Sequence, residues 1–192
     1  MLVIGNGESR KDINLDKHYD TKIGCNAIHR DCYVDHLICV DRRMVQQAID
    51  ANANEASIVY TRTDWIDVYR NNQKIRAVPH LPYRGTERQD EPFQWGSGPY
   101  AVLLGAKLSK EVNLIGFDLH STTNTVNNIY KDTKGYDAST KRAVDPRYWI
   151  HQIAKVFEYY PKRKFTIYQT ADWILPNNWN LKNVSVDNIN NL

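Results

Sequence analysis

The chain opens MLVIGNGESR (residues 1–10): an apolar run from Leu2 to Ile4 that stops abruptly at Gly5, Asn6 and Gly7. So short a run, bounded by turn residues, reads as a strand buried on both faces that feeds a tight turn. The device recurs along the sequence. TKIGCN (21–26) and HLICVD (36–41) stop at Asn26 and Asp41, SIVYTRT (57–63) has the same β-rich character, and EVNLIGFD (111–118) ends in Asp118. The segment from Lys74 to Pro82 is broken by two prolines and belongs at a sheet edge or in a loop. KFTIYQT (164–170) reads as the last strand.

Helical patterns alternate with these runs. SGPYAVLLGAKL (97–108) carries Tyr100, Leu103, Leu104 and Leu108 at helical spacing, with Pro99 expected at the first helical position. RYWIHQIAKVFEYY (147–160) reads as an amphipathic helix. Strands alternating with helices imply an α/β, Rossmann-like domain with a mostly parallel sheet and helices on both faces. It occupies residues 1–176 as a single domain, followed by a polar, Asn-rich tail over 177–192 expected to pack irregularly or fray. From Leu119 to Pro146 the apolar pattern disappears for a length that suits a lid segment.

Composition narrows the function classes. The 192 residues carry a net charge of only +3, from 25 basic and 22 acidic side chains, which argues against nucleic acid as a partner. No apolar run approaches the roughly 20 residues needed to span a membrane, and no signal peptide is read before the first strand, so a soluble, cytoplasmic protein is expected. Cys25, Cys32 and Cys39 are spaced unlike zinc ligands and read as buried or half-buried free thiols. No Asp-x-Asp pair and no histidine and carboxylate cluster suggests a metal site, and no metal cofactor is expected. A homo-oligomer is left open.

Ligands of open parallel sheets bind beyond the carboxyl ends of the strands. That places Gly5, Asn6, Gly7 and on to Ser9, with Asn26, Asp41, Ser97 and Asp118 to His120, around one site. The opening glycines let backbone approach a ligand, and the amides that follow can receive a phosphate. A dinucleotide fingerprint would need glycine at position 10, where Arg10 stands, and an acid at the end of the second strand, where Asn26 stands. A Walker loop would need Gly-Lys-Ser/Thr, which is absent. NAD and P-loop chemistry are disfavoured.

In order and spacing, GNGESRKDI, GCNAI, CVDRR, GSGPYAVLLGAKL and VNLIGFDLH resemble the bacterial sialyltransferases of glycosyltransferase family 42, from Leu2 to about Thr170. The resemblance implies a Rossmann-like domain that binds a cytidine-type nucleotide sugar without a metal and transfers the sugar to an acceptor. The family's donor contacts fall on Gly5, Asn6, Gly7, Asn26, Ser97 and Gly98, and the Gly-x-Asp that begins its lid falls on Gly116 and Asp118. Its asparagine after the third strand falls on Asp41. Its lid tyrosines fall on His120 and Val126, and the stretch matching its base histidine, AVDPRYW, holds no histidine.

His120 is therefore taken as the catalytic imidazole, at the phosphate or as base, with Asp118 as the second catalytic candidate or else a buried carboxylate bonded to loop amides. Tyr130 and Tyr136 are read as anchoring aromatics that could also clamp a phosphate under the lid, and Arg42 and Arg43 as balancing Asp41 or solvated. No partner is identified for His18, His29, His36 or His80, and His151 is a lesser candidate for the site. Two other functions share the same pocket: a pyrophosphokinase-like enzyme needing ATP, magnesium and the acids Asp41 and Asp118, and a nucleotide-binding module without catalysis.

Overall fold

The computed structural model describes residues 1–16, 21–121 and 123–192, so His18 lies outside the described residues. Eight strands form one all-parallel sheet: β1 (Leu2–Ile4), β2 (Lys22–Cys25), β3 (His36–Ile38), β4 (Ile58–Thr61), β5 (Ile75–Ala77), β6 (Glu111–Ile115), β7 (Lys164–Gln169) and β8 (Val184–Asn188). Their order is β5-β4-β3-β2-β1-β6-β7-β8. The chain winds outward from β1 to one edge, returns across the sheet, and winds outward again from β6. The order reverses between β1 and β6, where a crevice opens at the carboxyl ends of the strands.

The run Leu2-Val3-Ile4 is entirely buried because both faces of the sheet are covered. Val3 faces a core built with α3 (Ser97–Leu108) and α4 (Arg147–Tyr159). Leu2 and Ile4 face the opposite core, which includes Met44, Val45 and Ala48 of α1 (Arg42–Asp50). A single turn, α2 (Ala53–Ala56), and short 3-10 turns complete the crossovers. The fold is thus the expected α/β, Rossmann-like domain with helices on both faces.

α3 is the helix that positions the site. It is buried almost all round, and a Cβ at Gly105 would stand 3.0 Å from Val3 and 3.1 Å from Val112, so glycine there lets the helix lie close on the sheet. Pro99 occupies the third helical position rather than the expected first, still within the turn whose amides have no intrahelical acceptor.

Two expectations are corrected. The polar tail after Asn177 is ordered: it contributes β8, which pairs with β7 from Phe165↔Val184 to Gln169↔Asn188, so KFTIYQT is not the last strand. Trp179 is fully buried, donates its indole N–H to Ile150 O at 2.8 Å and meets Phe157 edge-on at 5.4 Å. Polar composition concealed the strand because this edge strand buries no side chain fully, only Val184 and Asp187 in part. The segment from 119 to 146 has no helix or strand among its described residues. It is tied down nonetheless by a bridge between Thr125 and Arg142 and by Ile129 N–H donating to Asn6 O at 3.0 Å.

Trp179→Ala removes an indole that fills the α4 side of the core. Urea denaturation should show about 3 to 5 kcal/mol of lost stability, the cost of emptying a large aromatic site.

Candidate functional site at the strand ends

The crevice between β1 and β6 is a cavity of about 410 Å³. Its floor is the loop after β1, Gly5-Asn6-Gly7, lying across the loop after β6, Gly116-Phe117-Asp118. Gly5 N–H donates to Ile115 O and Gly7 N–H to Gly116 O, each at 2.8 Å. A Cβ at Gly5 would fall far inside contact distance of Gly116 O, and one at Gly7 would strike the Asp118 carboxylate. The glycines are needed because two backbones cross here.

That crossing and its neighbours occupy most of the loop's donors, the Asn6 amide excepted. Glu8 N–H is bound to Asn127 Oδ1 and Ser9 N–H to Asp118 Oδ2, both at 2.9 Å. With Gly5 and Gly7 also paired, the loop is not a ready cradle for phosphate. Asp118 is correspondingly committed. It accepts from the amide and hydroxyl of Ser9 and from Gln169 Nε2 at 3.1 Å, while its own carbonyl accepts from Trp173 Nε1 at 3.0 Å. Asp118 lines the cleft, but its carboxylate clamps the loop.

The free donors lie opposite. The amides of Ser97 and Gly98, at the start of α3, have no acceptor among the described residues, and the Gly96 cap supplies no side chain. The partial positive charge of a twelve-residue helix is aimed there. Ser97 Oγ donates to Asn26 Oδ1 at 2.8 Å and accepts from Val40 N–H at 3.1 Å, joining the ends of β2, β3 and α3. Asn26 holds a left-handed backbone (φ 51°), a conformation asparagine tolerates better than most residues. Its Nδ2 makes no hydrogen bond among the described residues. Asn6 Nδ2 donates to the Tyr136 hydroxyl at 3.2 Å, leaving Asn6 Oδ1 buried without a partner.

Gly5, Asn6, Gly7, Asn26, Asp41, Ser97, Gly98 and Asp118 therefore share one cavity, as the strand-end argument requires. Three predicted residues do not join them. His120 is exposed after the turn and belongs to a separate small depression with Arg142 and Asp145, so the structure does not place it at the cleft. The strand end turns sharply at Leu119 (φ 67°), and this carries the histidine outward. Ser9 lies beneath the loop as a partner of Asp118.

Tyr130 is buried elsewhere and does not serve as a clamp in the cleft. Its hydroxyl meets Asp31 at 2.6 Å and Arg10 at 2.9 Å, and burial pushes its pKa well up. Tyr136 packs against it, and Arg30 approaches both rings at 5.7 and 5.8 Å. The two tyrosines anchor the segment over the sheet edge, as their reading as anchoring aromatics expected.

Other histidines have structural partners. His29 Nδ1 lies 3.1 Å from Asn26 O, with its pKa lowered chiefly by burial, and His36 lies 3.3 Å from the Tyr60 hydroxyl. His151 faces the segment before α3 rather than the cleft: its Nε2 lies 2.7 Å from Asp90 Oδ1. Cys25 lines the cleft, but burial pushes its thiol up to about 12, which removes it as a nucleophile near neutral pH.

Several lining residues carried no sequence signal: Arg62, Phe93, Trp95, Asn127 and Trp149. Arg62 follows β4 and forms a two-pronged pair with Asp64 at 2.9 and 2.6 Å, its guanidinium lying 5.8 Å from the centre of the Phe93 ring. Trp149 comes from α4 and closes on Gly96. Strand ends could be read from polar stops in apolar runs, whereas these side chains arrive from elements whose placement depends on crossovers. Among the described residues, no group of three or more His, Cys, Asp or Glu side chains is arranged to hold a metal ion. Among the described residues, no helix is long and apolar enough to cross a membrane. No protein-family model matches the chain, and neither the curated proteins nor the solved structures contain a match.

The wall of the cleft from Phe93 to Gly96 is held to α4 by Asp90–His151 and by Gln152 Nε2, which donates to the carbonyls of Gln89 and Gln94 at 3.0 Å. Burial raises the Asp90 pKa, but hydrogen bonds from His151, Glu87 N–H and Tyr83 outweigh it, and the net shift is downward. The stabilisation is therefore complete above the unfolded carboxylate pKa of about 4 and is lost as pH falls through the lower folded value. Asp90→Asn should shallow the loss of stability below about pH 4 in acid denaturation curves. Gly7→Ala should displace the Asp118 clamp and lower the melting temperature by several degrees, on the order of a 1 to 3 kcal/mol overpacking cost.

Proposed function

We propose that the chain binds a nucleotide-activated sugar, with a cytidine-type donor, in the strand-end cleft and transfers the sugar to an acceptor hydroxyl. The observation that carries this reading is the amide pair of Ser97 and Gly98 at the N-terminus of α3, without an acceptor among the described residues and in one cavity with the polar side chains of Asn6 and Asn26. Helix-start amides and the helix field favour the donor's phosphate. Asn26 Nδ2 is a side-chain donor left for base or ribose, and Asn6 and Asn26 fall at positions where the sialyltransferases that the sequence resembles contact their nucleotide. A volume of about 410 Å³ lies within the range of small-molecule sites.

The geometry also redistributes the roles. Asp118 is spent on the loop and His120 lies outside the cleft, whereas Asp41, at the cap of α1, makes no side-chain hydrogen bond among the described residues and lines the cavity. On this reading Asp41 is the base that receives the acceptor's proton. Charge developing on the leaving phosphate is met by the helix-start amides of Ser97 and Gly98, fixed dipoles that need no metal. The transfer itself is written with the nucleotide sugar as substrate and no cofactor.

One observation favours a second reading. Asp41 and Asp118 line the same cleft, as a pyrophosphokinase using ATP and magnesium would require. Magnesium-dependent turnover of ATP separates it from sugar transfer.

Titration calorimetry with cytidine and uridine mono- and diphosphates should show binding, strongest for the cytidine series. Asn26→Gly keeps the left-handed backbone while removing the amide and should weaken binding by about tenfold, the worth of one well-made polar contact. Asp41→Asn should retain nucleotide affinity and abolish consumption of a cytidine nucleotide sugar. Absence of heat with every nucleotide sinks the reading.

A further inference from the structure

The wall formed by Arg62 and Phe93 has a second face. Behind it lies another chamber of about 430 Å³, bounded by these same two residues and by the segments after β4 and β5. Val78, Leu81, Pro92, Phe93 and Tyr100 make its sides, so the walls are mostly apolar. Its polar lining includes Arg62 and Asp64, which stand together as an ion pair at 2.6 Å, and His80. Two cavities of similar size that share a wall suit two reactants brought side by side.

Phe93 is the telling residue. It is 59% exposed, so it contributes little to the core, yet the Arg62 guanidinium stacks against it. Arg62 is itself held by Asp64 at 2.9 and 2.6 Å and lies 5.6 Å from the Trp65 ring centre. The ring is thus a supported side chain that lines both cavities. The Arg62–Asp64 pair cancels its own charge, so the chamber's polar lining offers hydrogen-bonding capacity without a net field. A site of apolar walls with a few polar groups takes an apolar body bearing a polar handle.

We infer that this chamber binds an uncharged ring-bearing alcohol, aromatic or alicyclic, as the second reactant beside the nucleotide cleft. The assignment of a reactant's role rests on the transfer reading above; the binding site does not. The ring packs between Phe93 and Leu81, and the hydroxyl points along Arg62 toward the first cavity. In the transfer, the hydroxyl oxygen forms a bond to the sugar's anomeric carbon as that carbon's bond to the phosphate oxygen breaks. The hydroxyl proton passes to Asp41, and the bonding pair leaves with the nucleotide phosphate.

Saturation-transfer NMR on the full chain tests this with four probes: benzyl alcohol, cyclohexanol, benzoate and a methyl glucopyranoside. Benzyl alcohol and cyclohexanol should receive saturation, and benzoate and the glycoside much less. Leu81→Trp, which fills the chamber, should weaken the two alcohols by about tenfold or more, and Leu81→Ala, which removes apolar wall, by a smaller factor. Cytidine monophosphate affinity should be unchanged in both variants, because Leu81 does not line the nucleotide cleft. Stronger binding of benzoate overturns the uncharged ligand, and stronger binding of the glycoside overturns the apolar one. Alcohol binding that is absent, or equal in wild type and Leu81→Trp, removes the chamber as a site. If the alcohols bind as expected and no nucleotide does, the site stands and the transfer reading fails.

Discussion

The crossing of two strand-end loops governs the architecture of the cleft. Gly5 and Gly7 lie on Gly116 and Asp118 so closely that no side chain fits between them, and Gly116 itself adopts a left-handed backbone (φ 72°). The crossing locks the central strands β1 and β6 together just beyond the sheet, where the strand order reverses. It also consumes most of the amides from which a glycine-rich loop would otherwise build a phosphate cradle. The open donors are left on the far wall, at the start of α3.

From that follows a division of labour among residues of similar type. Of the two carboxylates at strand ends, Asp118 is held by Ser9 and Gln169 and fixes the floor, while Asp41 faces the cavity without a protein partner. Of the two asparagines, Asn26 is bound through its oxygen to Ser97 and Asn6 through its nitrogen to Tyr136, so opposite ends of the two amides are left without a partner among the described residues. The segment from 119 to 146 sets one of these choices. Tyr136 and Ile129 hold Asn6 by side chain and backbone, and Tyr130 secures the same segment on Arg10 and Asp31.

Much of this was legible in the sequence because buried parallel strands are short apolar runs with polar stops, and the stops mark the ligand edge. Gly5, Asn26, Asp41, Ser97 and Asp118 were found in that way. β8 was hidden, since an edge strand in an Asn-rich tail has no continuous apolar run to betray it. His120 and Tyr130 were misplaced for a different reason. Nearness in sequence to a strand end says nothing about direction once the backbone turns at Leu119, and an aromatic within a polar segment can be an anchor as readily as a contact.

Alternation of apolar runs with helical periodicity was enough to determine the α/β class, the parallel sheet and the set of strand-end residues, because these depend on local pattern and burial alone. Tertiary structure decided which of those residues are free to act. Hydrogen bonds between loops distant in sequence, Ser9 to Asp118 and Ser97 to Asn26, commit some polar groups and release others. It also brought Arg62, Phe93 and Trp149 to the cleft from three separate crossovers. No periodicity encodes such meetings; they arise only when the sheet's strand order brings those crossovers to one end of the domain.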